Sequence, residues 1–117
     1  MVPHEKSGIE MERHGDVCIA RLRGRIAERE AALLEEELLA AVEDGATSVV
    51  VDLSDVPMIA SAGLGALMMA HKQCRAKGGS VRLVGPQPLV RQVLEITKLT
   101  KLFQTHATLA DALAAGR

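Results

Sequence analysis

The sequence predicts an α/β fold: a mixed β-sheet of four to five strands, with a parallel core and an antiparallel N-terminal edge, flanked mainly on one side by about four helices. Three observations predict it. Short β-branched runs alternate with stretches of helical periodicity, the pattern of parallel strands joined by right-handed crossover helices. Two strand-like runs stand together near the start, separated only by His14-Gly15-Asp16, which fits a hairpin. The chain has 117 residues, 48% hydrophobic and 25% charged, enough to bury one core and not two. Residues 1–117 are therefore read as a single domain, with the first eight as a flexible lead.

The elements follow in order. Ile9 to Arg13 alternates apolar and polar as an edge strand does. In Val17 to Arg23, Val17, Ile19, Arg21 and Arg23 face one way and Cys18, Ala20 and Leu22 the other. Gly24 ends this strand. Glu28 to Asp44 reads as a helix, with Glu28 and Glu30 placed where the dipole favours negative charge and a stripe of Leu34, Leu38, Ala41 and Val42. Gly45 stops it. Ser48 to Leu53 is a continuous β-branched run suited to a central strand. A second helix is expected from about Ala62 to Lys77, with Leu64, Leu67, Met68, His71 and Arg75 on one side and Gly78-Gly79 as its close. Val81 to Val84 is a short strand. Pro88 opens a third helix whose apolar positions are Leu89, Val90, Val93, Leu94 and Leu99. Leu102-Phe103 is expected to pack on the body. Thr108 caps a last helix, Leu109 to Ala115, with Asp111 three residues on.

Composition narrows function. A net charge of −1 sets up no field for phosphate backbones, and Phe103 is the sole ring of the Phe, Tyr and Trp class, so bases have no stacking platform. Cys18 and Cys74 lie in no CxxC pair and read as two reduced packing thiols. No apolar run approaches the roughly 20 residues of a membrane span, and the start has no apolar signal core; a cytoplasmic protein is the default expectation. His4, His14, His71 and His106 are dispersed, with no spacing that holds a metal, and no cofactor is expected. Gly63-x-Gly65 lacks the third glycine of a dinucleotide loop, and the two glycines read instead as permitting close backbone approach.

Ser61 is the residue that draws attention. Its frame, Ile59-Ala60-Ser61-Ala62-Gly63, is not the Gly-x-Ser-x-Gly of a nucleophile elbow, and no histidine is tied to it by spacing. It sits where strand gives way to helix. One reading makes it an N-cap, worth about 1 kcal/mol. The other uses the same place: free N–H groups and a positive dipole end tolerate a phosphate, and the neighbouring Met58, Ile59, Ala60, Ala62 and Leu64 suit a docking patch.

The chain resembles STAS domains of the anti-sigma factor antagonist type. The features that carry the resemblance are the Val49–Ser54 strand with Asp52-Leu53-Ser54, the Ser61-Ala62-Gly63-Leu64-Gly65 helix start, the Gly78-Gly79 turn before Val81-Arg82-Leu83-Val84, and the VRQVLEITKLTKLF stretch within Leu89–Phe103. The resemblance implies a non-catalytic switch protein. The unmodified form binds an anti-sigma factor that is also a serine kinase of the histidine-kinase-like ATPase fold, and so frees a sigma factor. That kinase phosphorylates the serine matching Ser61 and breaks the complex, and a PP2C-type phosphatase resets it. The implied partner surface is Met58, Ile59, Ala60, Ser61, Ala62, Gly63 and Leu64, with Ile26 and Ala27 from the Gly24-Arg25-Ile26 turn. The family usually has Asp where Ala60 and Ala27 stand here, so two carboxylates are missing from the surface expected to meet the kinase. The alternative is a STAS scaffold or accessory subunit of a signalling or lipid-transport complex, with Ser61 only a cap.

Overall fold

The computed structural model describes residues 8–115. Five strands form one sheet: β1 (Ile9–His14), β2 (Val17–Arg23), β3 (Ser48–Asp55), β4 (Val81–Val84) and β5 (Gln104–His106), side by side in chain order. The first pair is antiparallel, with Ile9 opposite Leu22 and His14 opposite Val17. The other three pairs are parallel. The helices are α1 (Glu28–Glu43), α2 (Ser61–Ala76), α3 (Pro88–Ile96) and α4 (Leu109–Ala115).

The side-chain alternation of the strands divides the core as the sequence implied. Cys18, Ala20 and Leu22, with Val49, Val51, Leu53, Val81 and Leu83, face α1, α2 and α3 in the larger cluster. Ile19, Val50 and Val84 face the other way and meet Ala112 of α4 in a smaller one. Three helices thus cover one face and one helix covers the other. Cys18 and Cys74 are buried free thiols, and burial pushes both above the usual thiol range.

Several details depart from the expectation. Residues 1–7 of the flexible lead lie outside the described residues, but Gly8 is buried, and its carbonyl accepts the Arg23 N–H at 2.7 Å. The buried face of α2 is built on Leu64, Leu67 and Cys74 with the small Ala66 and Ala70, whereas Met68 and Arg75 are exposed. A stripe drawn on hydrophobicity favours methionine, but small side chains let α2 lie close to its neighbours. The third helix stops at Ile96, where the Thr97 hydroxyl donates back to the Val93 carbonyl at 2.7 Å and Lys98 turns left-handed (φ 64°), so Leu99 belongs to a following 3₁₀ turn. Of Leu102-Phe103 only Phe103 is buried; Leu102 is 41% exposed. The strand β5 is the element the residue pattern missed: Gln-Thr-His carries no apolar alternation, and it pairs as an edge only because the preceding turn lays it against Arg82–Val84.

Candidate functional site

Two connections run side by side at the end of the sheet where β2 and β3 finish. Ile26, after β2, and Ile59, after β3, form an isolated parallel bridge. The Ile26 N–H donates to the Met58 carbonyl at 3.0 Å, and the Ala60 N–H donates to the Ile26 carbonyl at 2.8 Å. Both isoleucine side chains are buried, so apolar anchorage backs the backbone rung. One residue later each chain enters a helix: Ala27 is the N-cap of α1 and Ala60 the N-cap of α2. Two helix N-termini are therefore held in register, each capped by a residue with no side-chain acceptor.

This geometry corrects the capping role considered for Ser61. A cap must be the extended residue before the helix, because only there does a side-chain oxygen reach the N–H groups of the next turn. That residue is Ala60, with φ −77° and ψ 163°. Ser61 is already helical, exposed, and its hydroxyl has no hydrogen-bond partner among the described residues. In the first turn the Gly63 and Leu64 N–H groups both find the Ala60 carbonyl, at 2.9 and 3.2 Å, while the Ser61 and Ala62 N–H groups find none. No acidic residue stands in this turn. By contrast α1 has half a capping box: Glu30 Oε1 accepts the Ala27 N–H at 3.2 Å.

The glycines behave differently from one another. A Cβ on Gly63 would lie 2.7 Å from Ile59 Cγ1 and 3.1 Å from Ile26 Cγ2, so a side chain there would break the packing under the rung. Gly65 has open space around it, which corrects the close approach expected of it.

The predicted contact residues separate by exposure. Ala27, Ser61 and Ala62 are exposed, and Met58 and Ala60 are half-buried. Ile26, Ile59, Gly63 and Leu64 are buried, so they support the surface and offer it no side chain; the sequence reading had included them because apolar residues beside a turn read as exposed patch and as core alike. Residues the reading omitted lie along α2 from Ser61 at helical spacing: Gly65, Met68 and Met69, all exposed, the methionines at 44% and 41%. Counting four, seven and eight residues on from Ser61 would have found them.

Among the described residues no base serves Ser61. His71 lies in the second half of α2, where its Nδ1 accepts the Val81 N–H at 3.1 Å and its ring meets Phe103 edge-on. His14 pairs with Glu12 at 2.6 Å. Asp52, near the end of β3, turns its Oδ1 onto Ser54, accepting the Ser54 N–H at 3.0 Å and its hydroxyl at 2.7 Å. The arrangement presents a hydroxyl on a small-residue surface and does not activate it. Among the described residues no helix is long and apolar enough to cross a membrane.

Comparison with known proteins agrees with this fold. The profile of the STAS domain family matches residues 8–112. BtrV of Bordetella bronchiseptica is 35% identical over 105 residues, 90% of this chain and 90% of its own. The anti-sigma-F factor antagonist RsfB of Mycobacterium tuberculosis is 33% identical over 106 residues, 89% of this chain and 84% of its own. The crystal structure of an anti-sigma factor antagonist from Mycobacterium paratuberculosis superposes with a TM-score of 0.83 at 32% identity, covering 93% of this chain and 92% of that one.

Proposed function

The chain belongs to the STAS domain family, and from that premise we propose that it is an anti-sigma factor antagonist whose docking is switched at Ser61. In the unmodified state the exposed surface of Ala27, Ser61, Ala62 and the flanking α2 residues binds an anti-sigma factor and so frees a sigma factor. The anti-sigma factor is a serine kinase. It transfers the γ-phosphoryl group of ATP to Ser61 Oγ, which loses its proton, and ADP leaves. A PP2C-type phosphatase hydrolyses the ester and restores docking. The cycle runs in the bacterial cytoplasm.

The observation that carries this reading is the exposed Ser61 hydroxyl, unpartnered at the first residue of α2. Because Ser61 caps nothing, esterifying it removes no stabilising contact. Nearby N–H groups without acceptors and the positive helix end accommodate the added charge of about −1.5 to −2 in the isolated protein. The same charge pressed into a dry contact must be desolvated, and each 1.4 kcal/mol of penalty weakens binding about tenfold. The switch therefore acts on the complex and leaves the scaffold alone.

The test is binding of Ser61→Glu and wild type to the cognate anti-sigma factor, with phosphopeptide mass spectrometry of the native protein. Weakened binding of the variant at unchanged melting temperature, and a phosphate on Ser61, are expected. Equal affinity for the two proteins would overturn the proposal. A second reading is favoured by one specific feature, alanine at both Ala27 and Ala60. Without carboxylates there, the domain would serve as an unphosphorylated scaffold or accessory subunit of a signalling or lipid-transport complex, and the spectrum would show no modified Ser61 peptide.

A further inference from the structure

Beside α4, on the face of the sheet away from the other three helices, lies a hollow of about 280 Å³. The strand register fixes which side chains share it. His14, Val17 and Ser48 stand level across β1, β2 and β3. Two residues further on, Ile19, Val50 and Arg82 stand level across β2, β3 and β4, on the same face. Ile19 and Val50 pack with Ala112 of α4, so Arg82 lies on the α4 side as well. Val17, Val50, Ala112 and Leu113 give the hollow its apolar wall. It sits where β2 and β3 begin, whereas Ser61 follows the far end of β3.

Two opposite charges line this hollow without meeting. Asp16, in the turn before β2, and Arg82, on β4, form no ion pair with each other or with any other described residue. β3 runs between them, and strands two places apart stand about 10 Å from each other. The backbone of Asp16 is anchored, since its carbonyl accepts the Thr47 N–H at 2.8 Å and the Ser48 N–H at 3.3 Å. Arg82 is half-buried, and its Nε is buried without an acceptor among the described residues. A buried donor left unpaired carries a desolvation penalty that nothing offsets. Ser48 Oγ accepts the Ser80 N–H at 3.3 Å, which leaves its hydroxyl hydrogen free to donate. His14 also lines the hollow, but its Nε2 is taken by Glu12 at 2.6 Å, and Glu12 is in turn held by Arg21 at 2.7 Å.

We propose that this hollow binds a free aliphatic α-amino acid in its zwitterionic form. A simple anion would face Asp16, and a simple cation would face Arg82. A ligand that carries an ammonium and a carboxylate on one carbon satisfies both. The guanidinium fork matches the ligand carboxylate, Ser48 donates to the same group, and Asp16 accepts from the ammonium. The aliphatic chain is removed from water against Val17, Val50 and Leu113. The volume is at the lower end of ligand pockets, which fits one amino acid.

The experiment titrates the full chain at pH 7 and constant ionic strength with L-leucine, with isocaproate, which lacks the ammonium, and with isoamylamine, which lacks the carboxylate. Amide chemical shifts are the readout. Saturable shifts with leucine at Asp16, Val17, Ser48, Val50 and Arg82, with none at Ser61, are expected. Each analogue forfeits a charge-assisted hydrogen bond and should bind at least about tenfold more weakly than leucine. Asp16→Asn, a change at an exposed turn that leaves the core intact, should weaken leucine about tenfold and leave isocaproate no weaker than before. Arg82→Gln should weaken leucine by a similar factor and spare isoamylamine. Shifts that fail to saturate, analogues that bind as tightly as leucine, or a leucine affinity unchanged by Asp16→Asn would overturn the site. Ser61→Glu should bind leucine as wild type does, so this proposal and the docking switch stand or fall separately.

Discussion

Ser61 shows how one residue of backbone offset changes a role. Had it been the residue before the helix, its oxygen would cap α2 and its loss would be expensive. As the first helical residue it caps nothing. Ser61→Ala should therefore change stability by no more than about 0.5 kcal/mol, as surface substitutions do, measured by urea denaturation. A loss of about 1 kcal/mol would reinstate the cap. The sequence revealed that a serine stood at this junction but could not fix its place within ±1 residue, because Ala60 and Ser61 are both compatible with the last extended position. Burial was harder still. Met58 and Ile59 are neighbours of similar apolarity, yet one is half-buried and the other lies in the core, and only the rung to Ile26 decides which.

At the scale of elements, the start of α2 invites two comparisons. Gly63→Ala should destabilise by about 1–3 kcal/mol, because the added methyl group meets Ile59 and Ile26, whereas Gly65→Ala should stabilise by roughly 0.5–1 kcal/mol, having space and a better helix former. Opposite signs in thermal melts of two substitutions two residues apart check the packing assignment; equal signs would refute it. Ala60→Asp places a carboxylate at the vacant cap position, and about 1 kcal/mol of added stability is expected, again by denaturation. Helices were the most legible elements, since periodicity, Pro88 and the Thr108 cap mark them directly; the Asp111 N–H indeed donates to Thr108 Oγ1 at 3.1 Å. The edge strand β5 was illegible because its three residues pair through backbone alone.

At the scale of the molecule, the mixed sheet with its antiparallel N-terminal edge was legible in the hairpin and in the alternation of strands with helices, and the two faces of β2 in its own alternation; the continuous run of β3 concealed its faces, and the strand order and the single helix on the second face come from the structure. What alternation cannot carry is contact between distant segments. His71 is the case in point: its tie to Val81 and its packing on Phe103 join α2, β4 and the segment leading to β5. Its lowered pKa, due to burial and then to Arg75, means that the unfolded chain takes up a proton more readily than the folded one. Stability from this group is full above the unfolded value of about 6.5 and is lost as the pH falls toward the folded value. Denaturation midpoints should drop between pH 8 and pH 5.5, and His71→Gln should flatten that drop; an equal slope in the variant would remove His71 as its source. The rung between Ile26 and Ile59 has a wider consequence. It lashes together two places that are 33 residues apart in the chain, so positions 27 and 60 meet any visitor as one unit. Selection acting on recognition should then see them jointly, and lineages that recruit a new partner should be found to have altered both alanines in concert, leaving the two isoleucines beneath untouched.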